Sequence, residues 1–319
     1  MTDAATRLAR LVECVPNVSE GRRPGVVEEI VATFAGADPG VLVLDRSSDP
    51  DHNRTVITLT GPGPALVEAA VAGARACARL IDLNRHRGVH PRMGALDVLP
   101  FVPFGAVTRL RGGDDPDLDC TDLAVRAGRR IAEEAGVPVY LYGAAARHPG
   151  WSALPAVRGK GFEALRADGQ VPDFGGPGLH PTAGATAVGA RELLIAYNVE
   201  LAGADLDLAR RIASAVRERD GGLPAVRAMG VPLGERGLVQ VSMNLLDWRV
   251  TPPAAAYAAV AALAGRHGAR VEASEVVGLA PAGAFDGVDP ADLRLRASLD
   301  DLLLESRLLQ ALTTSKETR

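Results

Sequence analysis

The alternation of apolar and polar positions divides the chain into two halves with the same order of predicted elements. Apolar runs bounded by turn-forming residues predict four strands in the first half, at 11–15, 40–45, 55–61 and 96–102. Apolar residues at helical spacing predict two helices there, at 24–34 and 64–83. The second half has predicted strands and helices in the same order, at 188–201, 206–219, 225–231, 237–246, 253–266 and 269–279. Each half therefore has the order strand, helix, strand, strand, helix, strand.

The segments outside this repeated order are less regular. A helix is predicted at 118–136, a strand at 137–143 and a C-terminal helix at 290–312. Residues 144–187 are rich in Gly, Pro and Ala, which is typical of a linker or of a loop that approaches a ligand closely. We therefore predict two subdomains, 1–186 including this linker and 187–319.

The expected fold class is α/β (α+β). It consists of two ferredoxin-like βαββαβ subdomains whose sheets face each other and whose helices lie outside. Each sheet would have one face without helices, and these faces would be buried against one another. A ligand groove between the two sheets is then expected.

Composition narrows the function classes. The 319 residues are 47% hydrophobic and 23% charged, with a net charge of −4, so a general nucleic-acid binder with a basic surface is not expected. Cys14, Cys77 and Cys120 lack metal-ligand spacing and are interpreted as reduced thiols of a cytoplasmic protein. Neither a signal peptide nor a membrane segment is predicted, because no apolar run reaches ~20 residues.

The densest polar cluster lies at 84–104 and leads into the predicted strand at 96–102. Its basic side chains are Arg85, His86, Arg87, His90 and Arg92. His90 precedes a proline, which disfavours helical geometry, so His90 is placed on a loop. From the residues alone, a solvated loop and a loop that transfers protons or holds anions are equally good interpretations.

Two further polar loops follow or precede predicted strands. The loop at 45–54 has the composition of an ordinary turn, but it also carries acids and bases that a site would use. Those residues are Asp45, Asp49, Asp51, His52, Asn53 and Arg54. The loop at 15–25 either caps the following helix through Ser19 or faces a ligand.

Eight segments in chain order carry a resemblance to a known family. They are ECVPNVSEG (13–21), DHNRTV (51–56), RHRGVHPRMGALDV (85–98), VPVYLYGAAA (137–146), PDFG (172–175), IAYNVEL (195–201), QVSMNLLD (240–247) and VVGLAP (276–281). Over about 11–281 the chain resembles the formiminotransferase domain family. It is similar to the stand-alone bacterial form, in which no cyclodeaminase domain follows.

The resemblance implies a reaction and its participants. It implies transfer of the formimino group of N-formimidoyl-L-glutamate to N5 of tetrahydrofolate, in histidine breakdown. It also implies tetrahydrofolate as co-substrate, no metal, and a homodimer with no nucleic-acid or membrane partner. The histidine of the HPRMG segment, His90, matches the catalytic position. The matching folate loop comprises Gly175, Gly176, Pro177, Gly178, Leu179, His180, Pro181, Thr182, Ala183 and Gly184.

The chemistry of such a transfer suggests roles for other side chains. A histidine with a pKa near neutrality can remove a proton from the attacking amine and then supply one to the departing nitrogen. A carboxylate would orient this histidine, and the candidates are Asp45, Asp49 and Asp51, with Asp97 ranked behind them. Asp45 and Asp49 are therefore assigned to the catalytic group with His90.

The remaining candidates would bind the substrates. Arg54 and Arg92 suit the two carboxylates of the glutamate moiety, although structural pairs with aspartates are an equally open role. Asn53 is assigned to substrate or folate binding. Asn53 and four polar residues of the second half either hydrogen-bond the pterin or satisfy the sheet edge, the four being Asn198, Gln240, Ser242 and Asn244.

Three single positions and one segment depart from the family pattern, the segment being 253–255, where Pro253, Ala254 and Ala255 replace residues that usually include a histidine. Ser47 and Val89 stand where acidic residues are expected, and Ala183 stands where an aromatic residue is expected in the folate loop. Loss of aromatic stacking would weaken pterin binding by about 1 kcal/mol. Two alternatives are therefore kept: a one-carbon transferase that uses a different amine, and a folate-binding paralogue without turnover, against which the intact His90 argues.

Overall fold

The computed structural model of the protein describes residues 3–158, 161–168, 170–234 and 237–317. The described residues form two compact units, with the division between Glu192 and Leu193. The predicted α/β class is confirmed, because each unit combines a sheet with helices. No helix of the described ranges is long and apolar enough to cross a membrane.

The first unit contains the longer list of elements. Its helices are α1 (Asp3–Ala9), α2 (Pro24–Gly36), α3 (Gly63–Leu80), α4 (Cys120–Ala135), α5 (Leu154–Arg158) and α6 (Gly161–Asp168). Its strands are β1 (Leu11–Cys14), β2 (Asn17–Val18), β3 (Leu42–Asp49), β4 (Arg54–Pro62), β5 (Leu96–Pro103), β6 (Val139–Gly143) and β7 (Thr186–Ala190). The best-capped helix is α4, in which the Asp119 carboxylate accepts the N–H groups of Thr121 and Asp122, and Gly136 ends it in the left-handed conformation.

These strands form one mixed sheet. β3 pairs with β4, and β4 pairs with β1 and β2, which both lie between β4 and β5; all of these pairings are antiparallel. β7 then joins β5 and β6 in parallel. The pairing of β2 with β5 shifts by one residue, since Asn17 lies opposite Val98 and Val18 opposite Leu96. Asp97 is therefore the extra residue of a β-bulge.

The two faces of this sheet differ in chemistry. One face packs against α2, α3 and α4 in an apolar core that includes Val12, Leu59 and Phe101. On the other face, α5 and α6 cover β6 and β7 through a second cluster that includes Tyr140 and Val157. Beside this cluster the face becomes polar, and the polar residues that strand alternation places on it include Glu13, Asn17, Asp45, Arg54 and Thr58.

The second unit has the predicted order of strands and helices. Its elements are β8 (Ile195–Ala202), α7 (Leu206–Val216), β9 (Val226–Leu233), β10 (Leu238–Leu245), α8 (Pro253–Arg266), β11 (Arg270–Val277), α9 (Leu299–Leu302) and α10 (Leu304–Glu317). The strand order is β11, β8, β10, β9, and every neighbouring pair is antiparallel. That the two sheets face each other stays a prediction.

Three local predictions are wrong. The strand predicted at 188–201 is two strands, β7 and β8, which belong to different sheets. The predicted linker at 144–187 contains α5 and α6 and lies within the first unit. Its many small residues give no periodic pattern from which these helices could be predicted. Ser19 does not cap α2, whose N-cap is Arg23; instead its hydroxyl donates to the Gly94 carbonyl.

The packing of α2 on α3 predicts the effect of one methyl group. A Cβ added at the buried Gly73 of α3 would lie 2.1 Å from Cζ of the Phe34 ring. We expect Gly73→Ala to lower the free energy of unfolding by about 1–3 kcal/mol in urea denaturation, despite the better helix propensity of alanine. Gly25→Ala in α2 is the matched control, because nothing lies within 4 Å of its added Cβ. Equal stability of the two variants would contradict this packing.

Candidate active site on the first sheet

The segment 81–95 carries the predicted catalytic histidine and is held at both ends by the predicted folate loop. The Leu83 N–H donates to the Thr182 carbonyl, and the Ala95 N–H donates to the Ala183 carbonyl, each at 2.8 Å. Gly94 and Gly184 make this contact close, since a Cβ on Gly184 would lie 2.2 Å from the Met93 carbonyl oxygen and Gly184 has a φ of +72°. The structure therefore brings two predicted parts of the site together.

Asn53 ties three loops to one another. Its Oδ1 accepts the Gly21 N–H at 2.9 Å, and its Nδ2 donates to the Arg87 carbonyl at 2.9 Å. Its backbone carbonyl accepts a hydrogen bond from the ring of His86. A positive φ of 49° suits asparagine at this turn. Both side-chain amide atoms are thus engaged by the backbone, which gives Asn53 a joining role in the structure.

Asp97 is the centre of the charged network. Its side chain is fully buried, and Oδ2 accepts from Arg54 at 2.7 Å and from Arg158 at 3.1 Å. Oδ1 accepts the N–H groups of Met93, at 2.7 Å, and Gly94. Burial alone would raise the pKa of Asp97, but the two guanidiniums lower it below its ordinary value. This acid, ranked low on sequence, fixes both arginines and the start of β5.

Two guanidiniums share this one carboxylate, so the cluster of Arg54, Arg158 and Asp97 has a surplus positive charge. Arg54 also donates from Nε and Nη2 to Oδ1 of Asn17 on β2. Arg158 lies at the end of α5 with a side chain that is 15% exposed. Sequence reasoning did not assign Arg158 to the site, because the only local signal is a cation at the end of a short helix in a Gly- and Pro-rich region.

His90 lies half-buried beside these cations. Its Nδ1 is 2.8 Å from the carbonyl oxygen of Pro91. A carbonyl only accepts, so Nδ1 carries the proton and Nε2 keeps a lone pair. Burial, and then the charges of Arg54 and Arg158, hold the pKa of His90 well below its ordinary value of 6.5. The imidazole is therefore neutral near pH 7 and can accept a proton.

The other two histidines of these loops have different settings. The His52 ring lies with its centroid 5.7 Å from that of His90. His86 is buried and bonds through Nε2 to the Asn53 carbonyl at 2.9 Å. Burial lowers the pKa of His86. Of the three, His90 is the one placed next to the Arg54, Asp97 and Arg158 network.

Arg92 points to a different place from Arg54. It makes two hydrogen bonds to Glu163, at 2.8 and 3.0 Å, and a third to the Leu83 carbonyl. With Glu163 it borders a cavity of about 530 Å³ that is lined by Asn84, His86, Arg87, Gly88, Arg92, Phe162, Glu163 and Arg166. A role for Arg92 in binding the glutamate carboxylates stays a prediction.

The predicted supporting carboxylates lie on β3. Asp45 and Asp49 are half-buried, and Asp49 lies opposite Arg54 in the β3–β4 register, where it also accepts the His52 N–H at 2.7 Å. Among the described residues, the hydrogen bond of the His90 ring goes to the Pro91 carbonyl and not to a carboxylate. Ser47, which stands where an acid is expected, pairs with Val56 in the same register.

The predicted folate loop has an exposed part and an anchored part. Residues 175–178 are exposed, whereas Ala183 and Gly184 are buried against the segment 93–95. His180 stabilises the turn between the parts, because its Nδ1 accepts the Ala183 N–H at 3.0 Å. The guanidiniums of Arg129 and Arg147 lie 5.7 and 4.6 Å from the centroid of the Phe174 ring, just before the loop.

The polar candidates of the second unit lie on β8 and β10. Asn198 donates to Glu275 at 2.9 Å. Gln240 is fully buried, and neither atom of its amide has a hydrogen-bond partner among the described residues. Across residues 3–158, 161–168, 170–234 and 237–317, no group of three or more His, Cys, Asp or Glu side chains could hold a metal ion.

Comparison with known proteins shows the family to which this chain belongs. The model of the formiminotransferase domain, N-terminal subdomain, matches residues 11–191, and that of the formiminotransferase domain matches residues 196–292. The glutamate formimidoyltransferase of Thermoplasma acidophilum is 42% identical over 94% of this chain and 98% of its own length. That of Streptococcus pyogenes is 40% identical over 95% of this chain and 100% of its own length. The formimidoyltransferase-cyclodeaminase of Sus scrofa is 43% identical over 86% of this chain and 51% of its own length. The chain therefore belongs to the formiminotransferase family.

Proposed function

We propose that this protein is a glutamate formimidoyltransferase, which moves the formimino group of N-formimidoyl-L-glutamate to N5 of tetrahydrofolate. Two relatives of that name match it over nearly the full length of both chains. The observation that carries the proposal is the state of His90: a neutral ring with its Nε2 lone pair available, beside a surplus positive charge. This combination suits deprotonation of an amine next to an anionic substrate.

The proposed mechanism uses His90 twice. As N5 of tetrahydrofolate attacks the carbon of the protonated amidine, a C–N bond forms, the π electrons of the C=N bond move to the formimino nitrogen, and His90 Nε2 takes the proton from N5. The resulting tetrahedral carbon carries three nitrogens. His90 then gives its proton to the nitrogen of the glutamate moiety, the bond from the carbon to that nitrogen breaks, the C=N bond re-forms, and glutamate leaves. A proton acceptor that becomes a proton donor in the second step contributes on the order of 10²–10⁴-fold to the rate.

The low pKa of His90 assists the second step more than the first. The charges of Arg54 and Arg158 disfavour the imidazolium, so the protonated ring is a strong acid that releases its proton readily to the leaving amine. They also keep the ring neutral before the reaction starts. The hydrogen bond to Pro91 holds the tautomer in which Nε2 is the reactive atom.

The same cations provide a place for the carboxylates of the donor substrate. Asp97 neutralises one guanidinium of the pair, and the other positive charge is available to a carboxylate. Arg54 is held by both Asp97 and Asn17, whereas Arg158 has one hydrogen bond to Asp97. We assign carboxylate binding to Arg158, with Arg54 as a neighbour that fixes Asp97. Asp45 and Asp49, both on β3, remain the carboxylates assigned to the catalytic group with His90.

The remaining assignments complete the proposal. Tetrahydrofolate is the co-substrate, held by residues 175–184, and no metal takes part in the mechanism. The protein acts on small molecules, as a homodimer in the cytoplasm. The direct experiment is to incubate the purified protein with N-formimidoyl-L-glutamate and tetrahydrofolate and to follow 5-formiminotetrahydrofolate by mass. Absence of this product from protein that binds folate would contradict the proposed function.

Substitution of the histidine tests the mechanism. We expect His90→Ala to lower kcat by about 10²–10⁴-fold, because no other group takes the proton from N5. The Kd for tetrahydrofolate should change much less than kcat. His267→Ala, at an exposed histidine after α8, is the matched control and should keep full activity. A His90→Ala variant with wild-type kcat would rule out the assigned role.

The pH dependence of kcat/KM tests the proposed effect of Arg158 on the pKa of His90. The acid limb of kcat/KM should lie well below pH 6.5, because His90 must be neutral and its pKa is lowered. Arg158→Gln removes a cation, so the pKa of His90 rises and the acid limb moves to higher pH. Arg158→Lys should retain the wild-type limb, and Arg10→Gln, which removes an exposed ion pair with Asp115, serves as control. An unmoved limb in Arg158→Gln would refute this coupling.

A further inference from the structure

Glu13 is a buried acid that the proposed mechanism does not use. It lies on β1 and is 4% exposed. Its neighbours Val12 and Cys14 point into the core beneath the helices, so its side chain lies on the opposite, polar face of the sheet. Among the described residues, the carboxyl group of Glu13 has no ion pair and accepts no hydrogen bond, and the charge that acts on it is that of Arg191. A carboxyl group on so deeply buried a residue is costly unless a ligand or water satisfies it.

A second polar group without a partner lies beside it. Thr58 on β4 is 1% exposed, and its hydroxyl has no hydrogen-bond partner in the described part of the chain. Glu13 lies directly opposite Thr60 in the register, so Thr58, two residues away, is its diagonal neighbour on the same face. Two adjacent polar groups without partners, on strands of one sheet face, indicate a place where a ligand supplies the missing partners.

Glu13 lies on the same face of the sheet as Asn17 and Arg54. β1 and β2 pair with β4 in one continuous register, in which Glu13 and Asn17 lie on the same face. Their separation of four residues along the chain corresponds to ~13 Å between their Cα atoms. Asn17 binds Arg54, and Arg54 lies close enough to His90 to lower its pKa. A ligand that is held at Glu13 and lies along this face would extend toward Arg54, the cation beside His90.

We propose that Glu13 recognises the aminopyrimidinone edge of the folate co-substrate through two parallel N–H to carboxylate hydrogen bonds. The inference rests on the proposed function and adds the residue that orients the pterin ring. The ring N3–H and the 2-amino group are adjacent donors, and the two oxygens of a carboxylate match them. Thr58 then makes one further hydrogen bond at the same end of the ring. Glu13 is a specificity residue, at the far end of the ring from the reacting nitrogen.

The charge state of Glu13 agrees with such a role. Burial raises the pKa of Glu13 to about 7, and Arg191 holds it partly back. The other titratable groups that interact with Glu13 are Cys14 and Cys120, while the paired positions Thr60 and Val102 carry no charge. Below this pKa the carboxyl group is protonated, so one of its oxygens carries a hydrogen. That O–H group would face an N–H donor of the ligand, which is unfavourable. Ligand binding should therefore strengthen as pH rises through about 7.

The test measures the Kd of tetrahydrofolate, and of an analogue with a methyl group in place of the 2-amino group, by calorimetric titration. The wild type should bind the analogue about 10–100-fold more weakly than tetrahydrofolate. Glu13→Gln should bind tetrahydrofolate about 10–100-fold more weakly than the wild type, discriminate little between the two ligands, and lose the rise in affinity between pH 6 and pH 8. Glu28→Gln, at an exposed position of α2, is the matched control and should behave as the wild type.

The outcomes separate this inference from the proposed function. Active wild-type protein that binds both ligands equally overturns the role of Glu13 alone, and this measurement does not depend on the folding of a variant. Folded Glu13→Gln with wild-type affinity, discrimination and pH dependence overturns it as well. Wild-type protein that does not bind tetrahydrofolate overturns both the inference and the proposed function.

Discussion

The buried carboxylate of Asp97 is the interaction on which the candidate site depends. A single negative charge in the interior is unfavourable unless donors surround it, and here two guanidiniums and two backbone N–H groups do so. Its place at a β-bulge lets the side chain reach the preceding turn as well as the neighbouring strand. One residue thus fixes the end of the histidine loop, the start of β4 and the end of α5.

This arrangement couples structure to electrostatics. Because two arginines share one carboxylate, the positive charge that remains acts on His90 and keeps its ring neutral. The same surplus attracts an anionic substrate. A single cluster therefore sets the protonation state of the proposed base and the charge preference of the site, so a substitution in the cluster affects both properties together.

The two faces of the sheet in the first unit have different roles. The face under α2, α3 and α4 is apolar and stabilises the unit through close packing, as at Phe34 and Gly73. The other face carries buried polar groups such as Glu13 and Thr58, and a buried polar group without a hydrogen-bond partner lowers stability. Functional sites of proteins commonly hold such polar groups on a rigid scaffold.

The sequence by itself determined the α/β class, the order of strands and helices in the second half and the family, because periodicity and contiguous motifs are local properties. The choice of His90 stays a prediction. The strand prediction was wrong at β7, a strand between two parallel neighbours, because its Gly and Ala residues give little strand signal. Only the tertiary structure decided that Asp97 joins Arg54 and Arg158, which lie 43 and 61 residues away along the chain. It also decided which nitrogen of His90 is available and that Glu13 is buried on the polar face of the first sheet. These properties depend on burial and on contacts between distant segments, which no local pattern records.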